Sequence, residues 1–370
     1  VSGLARPSLL SALGAAAAAL AALGPWSPAG VDPLLRALPA AVAMLCLIPG
    51  HWTTMARDVL VGAFAVNIGA VLAIPDLAGN AQWGFAAALA MVWLCAWDFV
   101  DRLVSMQPPP GIHGTLVNIA IPVVFGLTLL VLWEGGVRGF GSSMMKIILP
   151  APSAIAARFE SSLPTLGADF MQTFKGVASG YLIGCGAGIL VAILIDRSPF
   201  LQRGLLPLGN LVSALPIVGV APIMVMWFGF DWQSKAAIVV IMTFFPQLVN
   251  TVAGLSSAGA MERDLMKTYA ASYGQTLMSL RLPAALPFIF NGLKINSTLA
   301  LIGAIVAEFF GTPIVGMGFR INTEVGRMNI DMVWATIVVA ALFGSLFYGL
   351  LALAERKATF WHASYRQRAA

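Results

Sequence analysis

The stretch NGLKINSTLALIGAIVAEFF holds a cluster of polar and ionisable side chains within an apolar run. Asn291, Lys294, Asn296, Ser297 and Thr298 fall within a little over two helical turns, and Glu308 closes the same run. Ionisable groups inside apolar segments often mark the path of a solute or ion. By that rule Asn291, Lys294, Asn296 and Thr298 are candidates for lining a polar path. The plainer reading lets Lys294 snorkel toward the inner end of its helix and Glu308 rest in the headgroup layer. Enzyme chemistry has little to work with. The sequence holds no HExxH pair and no GxSxG elbow, so a metalloprotease or hydrolase site is not indicated. It also lacks the GxxxxGK[ST] phosphate loop. If ATP drives this protein, another polypeptide must bind it, and no cofactor is expected on this chain. His51, His113 and His362 are isolated. Cys46, Cys95 and Cys185 lie inside apolar runs without disulfide or metal spacing.

The elements that position these residues must sit in a bilayer. Of the 370 residues 59% are hydrophobic and only 10% charged, more apolar surface than a soluble domain of this size can hide. A net charge of +5, thinly spread, fits basic loops of a polytopic protein better than a nucleic-acid surface. A crossing needs about 20 apolar residues, or fewer where flanking groups snorkel. Ten candidate spans are read at 8–24, 34–50, 59–75, 83–100, 114–133, 173–195, 204–228, 235–254, 284–307 and 332–354. The first, with Arg6 ahead of an Ala/Leu core, has the outline of a secretory leader. A span is preferred because others follow at once. Basic residues then fall more often on the side that carries both termini, which is expected to be cytoplasmic.

Pro108-Pro109-Pro110 cannot continue a helix, so the chain is divided into extra N-terminal helices over 1–106 and a six-span unit over 107–370. The expected fold is all-α and polytopic, with about ten transmembrane helices. The longest outer loop, about 134–172, is expected to be part extended and part short helix. Gly180, Gly184 and Gly188 recur at four-residue intervals and predict a close helix–helix contact in lipid.

Between two apolar runs lies ERDLMKTYAASYGQTLMSLRLPAALP, residues 262–287. Leu265, Tyr269, Tyr273, Leu277 and Leu280 recur at helical spacing. Ser272-Tyr273-Gly274-Gln275 has the form of a capping box. The pattern predicts a helix over about 262–270, a break, and a second helix begun by Ser272, with Pro283 and Pro287 opening the next span. Amphipathicity alone would also suit a helix lying in the headgroup layer.

From Asp264 to Pro283 the stretch resembles the Glu-Ala-Ala…Gly…Leu-Pro signature of permease subunits of ATP-binding cassette importers. Leu282-Pro283 holds the Leu-Pro positions. Asp264-Leu265-Met266 replaces Glu-Ala-Ala, and Ala270 replaces the glycine, departures that bear on the docking geometry. ILPAPSAIAARF, APIMVMWFGF, FFPQLVNTVAGL and ERKATFWH are similar to the nitrate/sulfonate/bicarbonate/taurine branch of these permeases, and the resemblance spans about residues 114–362. It implies a type I importer core in an inner membrane. The implied partners are two cytoplasmic ATP-binding subunits, a second permease copy or homologue and an external solute-binding protein. It also implies that Asp264, Leu265, Lys267, Tyr269, Ala270, Ala271 and Ser272 form the coupling element near 262–281 that docks on the ATPase. The cargo is either a small anion or sulfonate, or a pyrimidine- or riboflavin-like heterocycle. The alternative is a secondary transporter or channel acting alone, whose mark would be paired intramembrane charges or an inverted repeat.

Overall fold

A computed structural model describes residues 8–28, 33–48, 50–73, 77–105, 112–198, 200–201, 203–205, 207, 216–311 and 314–361. All regular structure among them is helical. Among the described residues, six helices are long and apolar enough to cross a membrane: Trp83–Ser105, Gly114–Phe140, Leu163–Asp196, Trp232–Ser256, Tyr273–Glu308 and Ile330–Ala358. The ten expected spans are therefore not matched. α1 (Leu9–Leu23) and α2 (Pro33–Leu47) have 15 residues each, about 22 Å at 1.5 Å per residue, short of a hydrocarbon core of about 30 Å. The third candidate is cut. α3 (His51–Val66) ends where the Asn67 side chain turns back to the Ala63 carbonyl, and α4 restarts only for Ile68–Val71. Of the seventh candidate, residues 208–215 lie outside the described residues.

The chain forms two compact units, Val1–Ala157 and Arg158–Ala370. In the first, α1, α2, α3 and α5 (Trp83–Ser105) pack around Trp26, Phe64 and Phe85, whose rings meet edge-on at about 6 Å from Trp26. α6 (Ile112–Phe140) lies against α5. Arg57 is fully buried and bonds Asp58 at 2.8 Å and Asp98 at 2.7 Å, while Arg102 reaches Asp58 at 2.6 Å. Both arginines fall between candidate spans read from the sequence, yet they lie inside α3 and α5 and are neutralised there. Lys235 is buried in the first turn of the helix Trp232–Ser256. Paired charges of this kind weaken the orientation signal that loop charges provide.

The expected outer loop is mostly helix. α6 runs on to Phe140, α7 (Ser143–Ile148) and α8 (Pro152–Ser161) follow, and α9 begins at Leu163. Caps explain the subdivision. The Ser142 hydroxyl accepts from Met145 N–H, and prolines sit at the head of α8 and at the second position of α9.

The second unit is organised by α9 (Leu163–Asp196) against α11 (Trp232–Ser256), with α14 (Leu282–Glu308) on α11 and α16 (Ile330–Ala358) on α14. Two short helices, α10 (Ile217–Phe228) and α15 (Met317–Gly326), pack with them, and α12 (Ala260–Thr268) and α13 (Tyr273–Thr276) form a polar hairpin ahead of α14. The glycine stripe makes the α9–α11 contact. A Cβ on Gly180 would stand 2.5 Å from Val239 Cβ, one on Gly188 would stand 2.7 Å from Phe244 O, and one on Gly184 would overlap the Thr243 hydroxyl. Close backbone approach supplies the dispersion that holds helices together in lipid. Gly184→Leu should therefore force α9 and α11 apart and sharply lower the yield of folded protein in detergent. Size-exclusion chromatography would check it, and a monodisperse variant at parental yield would contradict the packing.

Candidate functional site

The polar hairpin that precedes α14 has one helix, a sharp stop and a second start. α12 (Ala260–Thr268) carries Glu262 in its first turn and Lys267 in its last, the arrangement that suits the helix dipole. Its end is a Schellman motif. Ala271 N–H donates to Met266 O and Ala270 N–H to Lys267 O, both at 2.9 Å, and Ala270 takes φ 54°. That left-handed backbone favours glycine, which gives a physical reason for a glycine at this place in the signature it resembles. The Ser272–Gln275 capping box is present, with Ser272 N–H donating to Gln275 Oε1 at 2.7 Å. α13 (Tyr273–Thr276) passes into a π turn, Leu277–Arg281, and then into α14 without a break. Pro283 sits at the head of α14, whereas Pro287 lies inside it rather than opening it.

The seven candidate coupling residues thus sit together on one hairpin, and most of them face outward. Leu265 and Tyr269 are 56% and 78% exposed, and with Met261 they make an apolar stripe at four-residue intervals. Asp264 pairs with Lys267 at 3.0 Å in the open. Ala270 and Ser272 are exposed and Ala271 half-buried. The hairpin thus presents an exposed apolar stripe bordered by the Asp264–Lys267 pair.

The inner side of the hairpin is fixed. Arg281 makes a two-pronged bond to Asp196 at the end of α9, 2.6 Å on each prong, and its Nε donates to Leu255 O at the end of α11. The Tyr273 hydroxyl donates to the same Asp196, and the Arg197 guanidinium lies 4.7 Å from the Tyr273 ring centre. Leu277 is buried with Leu255, Ala285 and Ile289.

The four candidate path residues do not share one face. Asn291 donates to Asn250 at 3.2 Å, Lys294 pairs with Glu355 of α16 at 2.6 Å, and Thr298 is exposed. Asn296 points the other way, buried between α9 and α11, and donates to Thr243 O, Gln247 Oε1 and Cys185 Sγ. Lys294 accordingly does not snorkel freely; Glu355 holds it.

Glu308 does not rest in a headgroup layer either. It is buried and accepts from Thr173 Oγ1 at 2.8 Å and Gly318 N–H at 2.7 Å. Beside it Asp169, with no exposed surface, accepts from Gly316 N–H at 2.9 Å and Arg320 Nε at 2.7 Å. Met317 N–H donates to Thr173. Two carboxylates and a hydroxyl from α9 and α14 thus cap the N-terminus of α15, where unpaired N–H groups and the helix dipole favour negative charge. Lys235 is buried nearby on backbone carbonyls of Phe230 and Gly311. Sequence reading missed this cluster, although a signal was present. Asp169, Thr173 and Gly176 continue the Gly180–Gly188 stripe outward at helical spacing, so a packed face was already implied for them. At the head of α11, bonds from the Gln172 amide and Trp232 N–H hold the Asp231 carboxyl below the usual carboxylate range.

Residues 184–360 match the family described as binding-protein-dependent transport system inner membrane component. The chain is similar to the formylaminopyrimidine transport permease ThiX of Halalkalibacterium halodurans, 31% identical over 65% of this chain and 95% of the relative. It is similar also to the riboflavin transport system permease RibX of Chloroflexus aurantiacus, 30% identical over 66% and 91%. The putative aliphatic sulfonates transport permease SsuC of Bacillus subtilis is 28% identical over 71% and 93%.

Proposed function

The chain belongs to the binding-protein-dependent transport permeases and is a multi-pass permease subunit of an ATP-binding cassette importer; from that premise we propose that the 262–281 hairpin couples it to ATP-binding subunits made as separate chains. The observation that carries the reading is the exposed Met261–Leu265–Tyr269 stripe on a hairpin whose other side is pinned to the ends of two spans. Amphipathic packing into a groove gives a moving partner purchase on such a hairpin. The chain works with a second permease and an external solute-binding protein in an inner membrane, with the hairpin on the cytoplasmic side. The six-span transport core is assigned to 107–370 and the extra helices to 1–106. A polar path along α14 is assigned to Asn291, Lys294 and Thr298, which share one side of that helix, with Asn296 supporting it from behind. The cargo is a small solute of the heterocycle class, a reading supported by the pyrimidine and riboflavin names of ThiX and RibX, of which the chain covers 95% and 91%.

Purified alone, the chain should neither bind nor hydrolyse ATP, since it has no phosphate loop. Co-expressed with its ATP-binding subunit, it should co-purify with it as a stoichiometric complex. Hydrolysis by the isolated, contaminant-free chain would end the two-subunit reading.

A further inference from the structure

Force that enters at the hairpin must still reach the spans. Three features converge on one point below the hairpin. The first is the π turn at Leu277–Arg281, where Leu282 N–H donates to Leu277 O and the regular helical ladder is widened. Such turns recur at functional positions because the backbone there has an alternative register close at hand. The second is Arg281, which joins the head of α14 to the ends of α9 and α11 at once, through Asp196 at 2.6 Å on both prongs and Leu255 O at 3.0 Å. The third is Tyr273, on the far side of the π turn, whose hydroxyl reaches the same carboxylate at 2.9 Å. One aspartate therefore holds both ends of the π turn. Asp196 and Arg281 expose only 9% and 15% of their side chains, so water competes weakly for the pair. A two-pronged arginine–carboxylate bond also fixes direction, which a single lysine contact does not.

We propose that the Asp196–Arg281 clamp is the joint that passes ATPase-driven movement of the hairpin to α9 and α11. This rests on the coupling reading above. Asp196 and Arg281 are positioning residues: neither is placed on the docking surface or on the solute path. A displaced hairpin pulls on Tyr273 and Arg281 together, and their shared carboxylate drags the end of α9 with them. Without the clamp, the π turn would absorb the displacement.

The test uses the full transporter in detergent or nanodiscs and needs no knowledge of the cargo. Hydrogen exchange is compared between nucleotide-free and ATP–vanadate-trapped complexes for the parental chain, Arg281→Gln and the swap Asp196→Arg with Arg281→Asp. The parental complex should show nucleotide-dependent exchange in the hairpin and in α9 and α11. Arg281→Gln should keep ATPase binding and the hairpin response while the α9 and α11 response falls at least about threefold. The swap keeps the ion pair with α9 but has no donor for Leu255 O, so it should restore at least about half of the α9 response. An undiminished α9 and α11 response in Arg281→Gln would overturn the clamp, as would loss of ATPase binding together with that response, or a swap that restores nothing. A parental chain that fails to bind the ATPase would instead overturn the coupling reading, and the clamp with it.

Discussion

Ala270→Arg is expected to leave membrane insertion intact and to abolish ATPase association and uptake. Ala270 already sits at φ 54°, a conformation that costs any residue with a Cβ about the same 1–2 kcal/mol. Replacing one such residue by another therefore leaves the backbone term nearly unchanged, and the effect comes from the new side chain. Pressed into a partner subunit, an arginine without a counter-charge costs ~3 kcal/mol or more, about a hundredfold in affinity. In a helix that merely lies in the headgroup layer, the same arginine would snorkel and strengthen contact with anionic lipid. The two readings differ in sign. Ala270→Gly is the control. It relieves the left-handed strain and should keep or slightly raise association. Pull-down of the ATP-binding subunit from solubilised membranes measures both variants. An arginine variant that inserts normally and still binds its ATPase would refute the docking assignment.

Asp169→Ala should produce the largest loss of stability. The substitution strips Arg320 of its nearer carboxylate, leaving it only Glu324 at 3.5 Å, and leaves Gly316 N–H unpaired beside a position with no exposed surface. Breaking a buried pair from one side costs ~3–5 kcal/mol, which in a unit of this size lowers the unfolding temperature by on the order of 10 °C. Removing both partners as Asp169→Leu with Arg320→Met should cost much less, because no buried charge is then stranded. Thermal unfolding in detergent reads the difference, and limited proteolysis would show α15 released in the single variant. If the single variant unfolds within about 2 °C of the parent, the carboxylate cap does not hold α15 in place.

Much of the hairpin was legible because its signals are local. A capping box needs four consecutive residues, and Ser272 to Gln275 provide them. The apolar rows on 262–281 are set by helical period, and the glycine stripe by four-residue spacing. The family signature is also local, so departures such as Ala270 could be read and then explained by a single dihedral angle. Among the described residues fewer helices reach spanning length than the ten candidates read, for a related reason. Hydropathy scores composition, whereas crossing depends on unbroken length, and Asn67 interrupts a run whose hydropathy looks continuous.

What the sequence could not decide were pairings between distant residues. Lys294 and Glu355 are 61 positions apart, Arg281 and Asp196 85, and Arg320 and Asp169 151. A charge in an apolar run has two stable fates, reaching for water or finding a partner, and only the packing of other helices selects between them. Glu308 was read as reaching for water, yet the tertiary structure gave it Thr173 and the head of α15. By itself the sequence determined the helical class, the hairpin and its chemistry. Tertiary structure decided which charges are partners, because that choice depends on which helix ends meet and on nothing within any one helix.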